Sequence, residues 1–561
     1  MLYERLKELG HVVARGPTFV RDDGSVASLS FAQLVARGRH VQARLQAHRL
    51  RKGQRVGLII SDNEHCITAF LGAVMAGIIP VVLPVPPVVG DGLGYANLVR
   101  RIAAVSRSSA LVISRRDASR IPHLPCGQDT TATRESILTI EDLLDEPAAE
   151  PDEPVLTPED TCFLQFTSGS SADPKGVVVT HRNVVANARA MLGDALEVDP
   201  TRDVGVCWLP LYHDMGLVGN VLAALLYEIP VVYIPTKSFI RHPNIWMKTV
   251  SDYHGTITFA PNFAFALAAR RASEEFVASL DLRCLRVLGC GGEAINPAVM
   301  DVFQNVFSKA GLDPNAIMPC YGMAEATLAI AFDRIDRAPR VLCIDREAYE
   351  QHAMARPACP GASGAVEVVS CGRTFPEHQV CVVSPDGTPL PEGRIGEIVF
   401  RGPSVSRGYF EDAEETRAAI RDGWLLTGDV GFLHAGDLFV TGRSKDRIII
   451  NGRNYHPQDF EWLVEQHAAI RSGGSAAFGM RDECSERVVV VAEAKRADGL
   501  DRVRTEIREE VLRSLGVSLT DVVLVRPGSL PKTTSGKIRR RETKVEYQQG
   551  RLSLVSAAPL R

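Results

Sequence analysis

The chain has 561 residues, with 63 Lys+Arg against 67 Asp+Glu and a formal charge of −4, a near-balance that excludes a global basic field for nucleic acid. Apolar residues make up 45% and charged residues 23%, the proportions of a soluble globular protein long enough for three or four domain-sized units. Twelve cysteines stand singly with no C-x-x-C pair, so neither a disulfide framework nor a zinc site is expected.

The opening MLYERLKELG is charged and has no apolar h-region, so no signal peptide is expected. Ala69 to Val89 carries no charge and is about as long as a membrane span. Pro80, Pro84, Pro86 and Pro87 interrupt it after Gly72 and Gly77. A buried helix ending near Gly77 and then a buried strand are predicted in its place, with no transmembrane segment and a reduced, cytoplasmic setting.

From about residue 50, short aliphatic runs alternate with helix-length intervals: VGLII, IIPVVLP and LVIS, then VGVCWLP, IPVVYIP, GTITFAP and LRVLGCGG. That alternation predicts parallel α/β layers. Asp117 to Pro158, rich in Asp, Glu and Pro, reads as a surface excursion. Arg334 to Gly364 reads as a second one, neither strand nor clean helix. After Val369 come shorter strand-like pieces with turn signals (HQVCVVSPDGTPL, GRIGEIVFRGP, GDLFVTGR), a small antiparallel β region. A helix beginning near Pro457, two apolar strands, another helix and VVLVRPG then form a compact α+β unit. The division is residues 1–441 as a large N-terminal region, 442–446 as a hinge and 447–561 as a mobile lid.

Two segments carry the chemistry. TSGSSADPKGV (Thr167 to Val177) is a Gly/Ser/Thr turn closed by Lys175, and its backbone N–H groups and hydroxyls suit a polyphosphate. It is not a Walker A loop, because Pro174 precedes Lys175 and Gly176 follows it. Thr180 is placed to cap the next helix. PKTTSGKIRR (Pro531 to Arg540) puts Lys537 in a basic loop, a charge deliverable when the chain closes. Together they point to ATP-dependent activation. Between and around them lie LPLYHDMGL, GCGGEAI, YGMAEAT, WLLTGD and GRSKDRIIINGRNYHP. Taken singly these are weak: Tyr321 reads as a core aromatic, Glu325 as a solvated helix residue, Asp429 as a turn residue and His213 as a structural histidine.

As an ordered set they resemble the adenylate-forming superfamily of acyl-CoA synthetases, luciferases and adenylation domains. Within it, CWLPLYHDMGL, APNFAF, VSCG, RGPSVSRGYF and LFVTGRSKDRIIINGRNYHPQDFE most resemble the fatty acyl-AMP ligases. Arg334 to Gly364 falls where those ligases carry an insertion. The resemblance implies that Thr167, Ser168, Gly169, Ser170, Ser171 and Lys175 hold the triphosphate of ATP. It puts Gly291, Gly292 and Glu293 along the adenine with Tyr321 stacked on it, and Gly322, Met323 and Ala324 in the same nucleotide site. Glu325 would bind Mg²⁺, Asp429 would accept from the ribose hydroxyls with Arg443 in support, and His213 would gate the acyl pocket. Lys537 would bridge carboxylate and α-phosphate, with Lys445 at the hinge. Ser171 and Ala324 stand where many relatives have threonine. Phe239, Trp246 and Phe263 are candidates for the acyl side.

The implied reaction joins a carboxylic acid, a fatty acid by resemblance, to AMP with release of pyrophosphate. Transfer to the phosphopantetheine of a separate acyl carrier protein would follow. An acyl-CoA synthetase shares every one of these motifs and stays open as the alternative. A non-catalytic sensor would predict loss of Lys537, Glu325 or Asp429, and all three are present.

Overall fold

A computed structural model describes residues 1–86, 92–121, 137–167, 174–335, 337–362, 364–450, 453–481, 486–532 and 537–555. The aliphatic runs form strands buried on both faces, as parallel sheets covered by helices require. Ile79–Val82, Arg55–Ile59, Ser108–Ile113 and Ile137–Thr139 lie side by side in that spatial order, all parallel. The helix Asn63–Met75, capped by Asp62, is buried nearly all round, which explains why it carries no charge after Glu64. It stops before Gly77, whose φ of +69° suits the left-handed turn that ends helices.

Among the described residues a second sheet has nine strands. Its parallel centre runs Ile317–Gly322, Val287–Cys290, Ile257–Ala260, Gly205–Cys207 and Val231–Tyr233. A smaller antiparallel sheet follows, built on Gln379–Val383, Gly396–Arg401, Trp424–His434 and Asp437–Arg443. Beyond it, Ile470–Arg481, Glu486–Ala494 and Leu519–Val525 form a three-stranded sheet around a core of its own that includes Phe460, Val490, Ile507, Val511 and Leu524. The architecture is thus a large α/β N-terminal region with two parallel sheets and a small β region, followed by an α+β domain. Among the described residues no helix is long and apolar enough to cross a membrane.

Both excursions need correction. Within Asp117 to Pro158, Ile137–Thr139 joins the four-stranded sheet and the helix Ile140–Asp145 buries Ile140 and Leu143. Three strand residues and two buried side chains are too few to stand out against an acidic composition. Within Arg334 to Gly364, Val341–Asp345 pairs antiparallel with Ala365–Val369, and the helix Arg346–His352, capped by Asp345, spans the gap. Ile344 and Tyr349 pack against Phe432 and Phe439. The pairing strand lies just outside the excursion, so the segment alone showed half a hairpin.

Candidate active site

β1 (Thr161–Thr167) and β2 (Lys175–Thr180) pair antiparallel, with Thr167 opposite Lys175 at the two ends of the Ser/Gly segment. Ser168, Gly169, Ser170, Ser171 and the Thr167 side chain lie outside the described residues. At the start of β2, Lys175 Nζ pairs with Glu415 at 2.6 Å and lies 5.4 Å over the Tyr409 ring. Helix α1 (His181–Ala188) follows directly, with Thr180 and Asn183 in a reciprocal capping box.

His213 precedes a buried acid, Asp214, that sequence reasoning passed over. Nδ1 of His213 is 2.6 Å from Asp214 Oδ1, which also accepts from the Met215 amide at 2.7 Å. Burial pushes the Asp214 carboxyl up, but His213 and Lys537 outweigh it and hold it below the usual carboxylate range. The signal available was the His-Asp step inside LPLYHDMGL.

Helix α2 (Asn262–Arg271) and strand β3 (Val287–Cys290) meet through Glu293, whose Oε1 accepts from the Phe263 amide at 2.7 Å. The carboxylate therefore anchors the first turn of α2, and what it leaves for a purine is its backbone. Burial raises its pKa, against the pull of the Phe263 amide and Lys537. A Cβ on Gly291 would stand 2.6 Å from the Cys320 carbonyl oxygen, and Gly292 has φ +80°. Both positions demand glycine. The chain thus leaves β3 at the carboxyl end of the sheet, where parallel α/β sheets open their ligand crevices.

From β4 (Ile317–Gly322) the Tyr321 hydroxyl donates to Asp429 Oδ2 at 2.7 Å. Asp429 lies on β5 (Trp424–His434), directly across from Arg443 at the end of β6 (Asp437–Arg443). Arg443 Nε donates to Asp429 Oδ1 at 3.0 Å. Both carboxylate oxygens are engaged, so a diol at Asp429 would share or displace these donors. The hydroxyl bond fixes the Tyr321 ring, and burial followed by the Asp429 charge raises the phenol's pKa far above its ordinary value.

After β4, the Met323 amide bonds the Leu328 carbonyl at 2.7 Å. Buried Ala324 then opens a single 3₁₀ turn, Ala324–Ala326, that presents Glu325. Its Oε1 accepts from the Tyr409 hydroxyl at 2.8 Å, and burial pushes its pKa up. No cluster of three or more potential metal ligands occurs among the described residues. One desolvated carboxylate fits Mg²⁺, which is usually held by one or two acids together with substrate phosphates.

Lys537 reaches this crevice from the C-terminal domain: its Nζ is 3.9 Å from where a Cβ on Gly292 would stand. Burial lowers its pKa, opposed by the charges of Asp214 and Glu293. Arg540 anchors the same segment through 2.7 Å bonds from Nε and Nη2 to the two Glu461 oxygens, and its Nη1 lies 3.6 Å from Asp446. Lys445 is exposed on the 3₁₀ turn Ser444–Asp446. The structure thus brings Gly291, Gly292, Glu293, Tyr321, Glu325, Asp429, Arg443, His213 and Lys537 to one crevice.

Of the acyl-side candidates, two lie in the core. Phe239 and Trp246 are fully buried, Phe239 stacked on Trp208 at 3.7 Å and Trp246 Nε1 bonded to Thr258 Oγ1 at 2.9 Å. They are core packing. Phe263 alone of the three keeps exposed surface.

The AMP-binding enzyme family matches residues 12–410, and the AMP domain of Disco-interacting protein 2-like proteins matches residues 445–557. The 4-hydroxyphenylalkanoate adenylyltransferase of Mycobacterium marinum is 35% identical over 555 residues, covering 94% of this chain and 87% of its own. The long-chain-fatty-acid–AMP ligase FadD26 of the same organism is 34% identical over 549 residues, covering 92% and 91%. A solved structure from a study of fatty acyl-adenylate ligases from E. coli and L. pneumophila superposes with a TM-score of 0.91 at 33% identity, covering 98% of each chain. The chain belongs to the AMP-binding, adenylate-forming enzyme family and is an adenylate-forming ligase that activates carboxylic acids.

Proposed function

We propose that this enzyme converts a fatty acid and ATP into acyl-AMP and pyrophosphate, and passes the acyl group to the phosphopantetheine thiol of a separate carrier protein. The observation that carries the first step is the seating of Lys537 against Gly292, in the same crevice as Glu325 and the Tyr321–Asp429–Arg443 group. A substrate carboxylate oxygen attacks the α-phosphorus of ATP. An O–P bond forms, the bond from that phosphorus to the bridging oxygen breaks, and pyrophosphate leaves with the electron pair. No proton transfer is needed at the ionised acid, so positioning and charge stabilisation do the work.

The chain's own groups divide that work. Lys537 supplies positive charge where carboxylate and α-phosphate crowd together. Asp214, 2.6 Å from His213 Nδ1, fixes the imidazole beside Lys537. Asp429, Tyr321 and Arg443 form the polar end for the nucleoside, and the segment from Thr167 to Lys175 receives the phosphates. Mg²⁺ held by Glu325 would supply charge neutralisation on the phosphates. Residues 442–446 serve as the hinge between residues 1–441 and the lid, 447–561.

A relative named for long-chain fatty acids and one named for 4-hydroxyphenylalkanoates support the acid class and set the competing substrates. The test is acid-dependent ATP–pyrophosphate exchange across fatty, arylalkanoic and amino acids, with the adenylate identified by mass. Exchange with amino acids alone would remove the fatty-acid reading.

A further inference from the structure

Glu325 is held in place from behind by the helix that leaves the phosphate hairpin. Asn183 and Asn187 lie four residues apart on α1, hence on one face, and both are buried. The Asn183 amide oxygen accepts from the Thr180 amide and hydroxyl at 3.0 and 2.8 Å. Its Nδ2 donates to the carbonyls of Pro403 and Val405, each at 2.9 Å. One turn on, Asn187 Nδ2 donates to the Ala329 carbonyl at 2.9 Å and the Ser404 hydroxyl at 3.0 Å, and its oxygen accepts from the Ala329 amide at 3.0 Å. Asn187 thus uses both ends of its amide, and Asn183 its Nδ2, to join α1 to segments more than 140 residues away in the chain.

Those segments flank Glu325. The Ser406 amide bonds the Glu325 carbonyl at 2.8 Å, three residues after the Pro403 carbonyl that Asn183 holds, and Tyr409 further along bonds the Glu325 carboxylate. On the other side, Ala329 follows the Glu325 turn directly. Between them Thr327 adopts φ +69°, a conformation that a β-branched residue rarely takes. Its hydroxyl donates to the Ser404 carbonyl at 2.6 Å. Ser404 is fully buried, and its hydroxyl also meets His378 Nε2 at 2.7 Å.

We propose that Asn187, with Asn183 and Ser404, positions Glu325 for the metal, so that α1, the helix that follows β2, sets the place of the metal carboxylate. The geometry is one frame: β2 begins at Lys175, ends at Thr180, and runs straight into the helix that clasps both flanks of the Glu325 turn. The inference rests on the reading of Glu325 as the Mg²⁺ ligand.

The test is Mn²⁺ binding, followed by electron paramagnetic resonance in the presence of an ATP analogue with a non-cleavable α,β bridge. Pyrophosphate release against Mg²⁺ concentration is measured alongside. Asn187→Leu should weaken Mn²⁺ binding by about tenfold or more, with the affinity of the metal-free analogue unchanged. Ser404→Ala, which removes one hydroxyl and leaves the Thr327 bond to the Ser404 carbonyl, should weaken it about threefold, and it decides the matter if Asn187→Leu does not fold. In a Glu325→Gln background neither change should add a further shift, since the coupling is through that carboxylate. A lowered melting temperature with an Mn²⁺ midpoint unmoved in these variants overturns the positioning role. If Glu325→Gln itself leaves the midpoint unmoved, the metal reading of Glu325 fails and this inference fails with it.

Discussion

The Lys537 ammonium is half-buried beside Asp214 and Glu293, and its position makes two outcomes separable. Truncating it leaves no large cavity, because it comes from a polar loop, while the lost charge is aimed at the reacting atoms. Lys537→Ala should reduce pyrophosphate release by about 10²–10³-fold or more with the melting temperature unchanged; near-normal release would refute the assignment. The pH profile adds a second handle. Burial lowers the pKa of this cation, so the neutral, inactive form accumulates at a pH below the ordinary lysine range. The alkaline limb of kcat/KM, which reports the free enzyme, should therefore fall early. In the ternary complex two anions face the amine and favour the charged form, so the limb of kcat should lie higher. Coincident limbs for the two parameters would place the titrating group elsewhere.

At the level of elements, the joint between β6 and the lid carries two expectations. Lys445 sits in a 3₁₀ turn, whose φ lies near the value proline imposes. Lys445→Pro should leave this geometry accessible and hinder the swing out of it. Acyl-AMP would still form and thioester would not; a parallel loss of both half-reactions would count against a two-conformation cycle. His456, at the head of the helix Pro457–Gln466, packs where a Cβ on Gly442 would be 2.3 Å from its Nδ1. Burial lowers its pKa from 6.5 to about 4. The unfolded chain takes up this proton below about pH 6.5 and the folded chain only near pH 4, so stability is lost as pH falls through that window, at most about 3 kcal/mol. Asp459 beside it, raised to about 6, acts in the opposite sense. His456→Gln should thus gain in melting temperature relative to the parent as pH falls from 6.5 to 4, and a constant difference would remove His456 as the cause. The strands at 55–59, 205–207, 231–233, 257–260 and 287–290 were legible because parallel strands buried on both faces are unbroken aliphatic runs. Val341–Asp345 was not, because its partner and its apolar cover at Phe432 and Phe439 are supplied by distant segments. The same limit applies in the site: motif order pointed to Tyr321, Asp429 and Arg443, but no local pattern tells that Glu293 spends its carboxylate on α2 or that Phe239 and Trp246 are packing.

Over the whole molecule, the hairpin of Val341–Asp345 with Ala365–Val369 and its helix Arg346–His352 touch both regions, and the acceptor question turns on them. Ile344 and Tyr349 are packed with Phe432 and Phe439 of the N-terminal region. The same helix meets the lid: Asn454 Nδ2 donates to the Glu350 carbonyl at 3.0 Å, Arg453 lies 3.8 Å from the Glu350 carboxylate, and the Tyr349 and His456 rings are 6.2 Å apart. Deleting this hairpin and helix would uncover Phe432 and Phe439 and confuse restraint with unfolding. Asn454→Ala combined with Arg453→Ala removes the two polar contacts to Glu350 and leaves that core and the Tyr349–His456 contact intact. A carrier-bound pantetheine arrives on its own protein, whereas CoA needs cationic contacts for its nucleotide phosphates, and Arg540 is already committed to Glu461. The intact enzyme is therefore expected to load a phosphopantetheinylated carrier and to make little acyl-CoA even with excess CoA. If the Glu350 contacts restrain the C-terminal domain, the double variant should release acyl-CoA synthesis while its rate of acyl-AMP formation stays within about twofold, since rim contacts of this kind are individually weak. If acyl-CoA stays absent in the double variant, the Glu350 contacts are not what excludes CoA. Efficient acyl-CoA synthesis by the intact enzyme would overturn the carrier-protein reading and put the chain with the acyl-CoA synthetases.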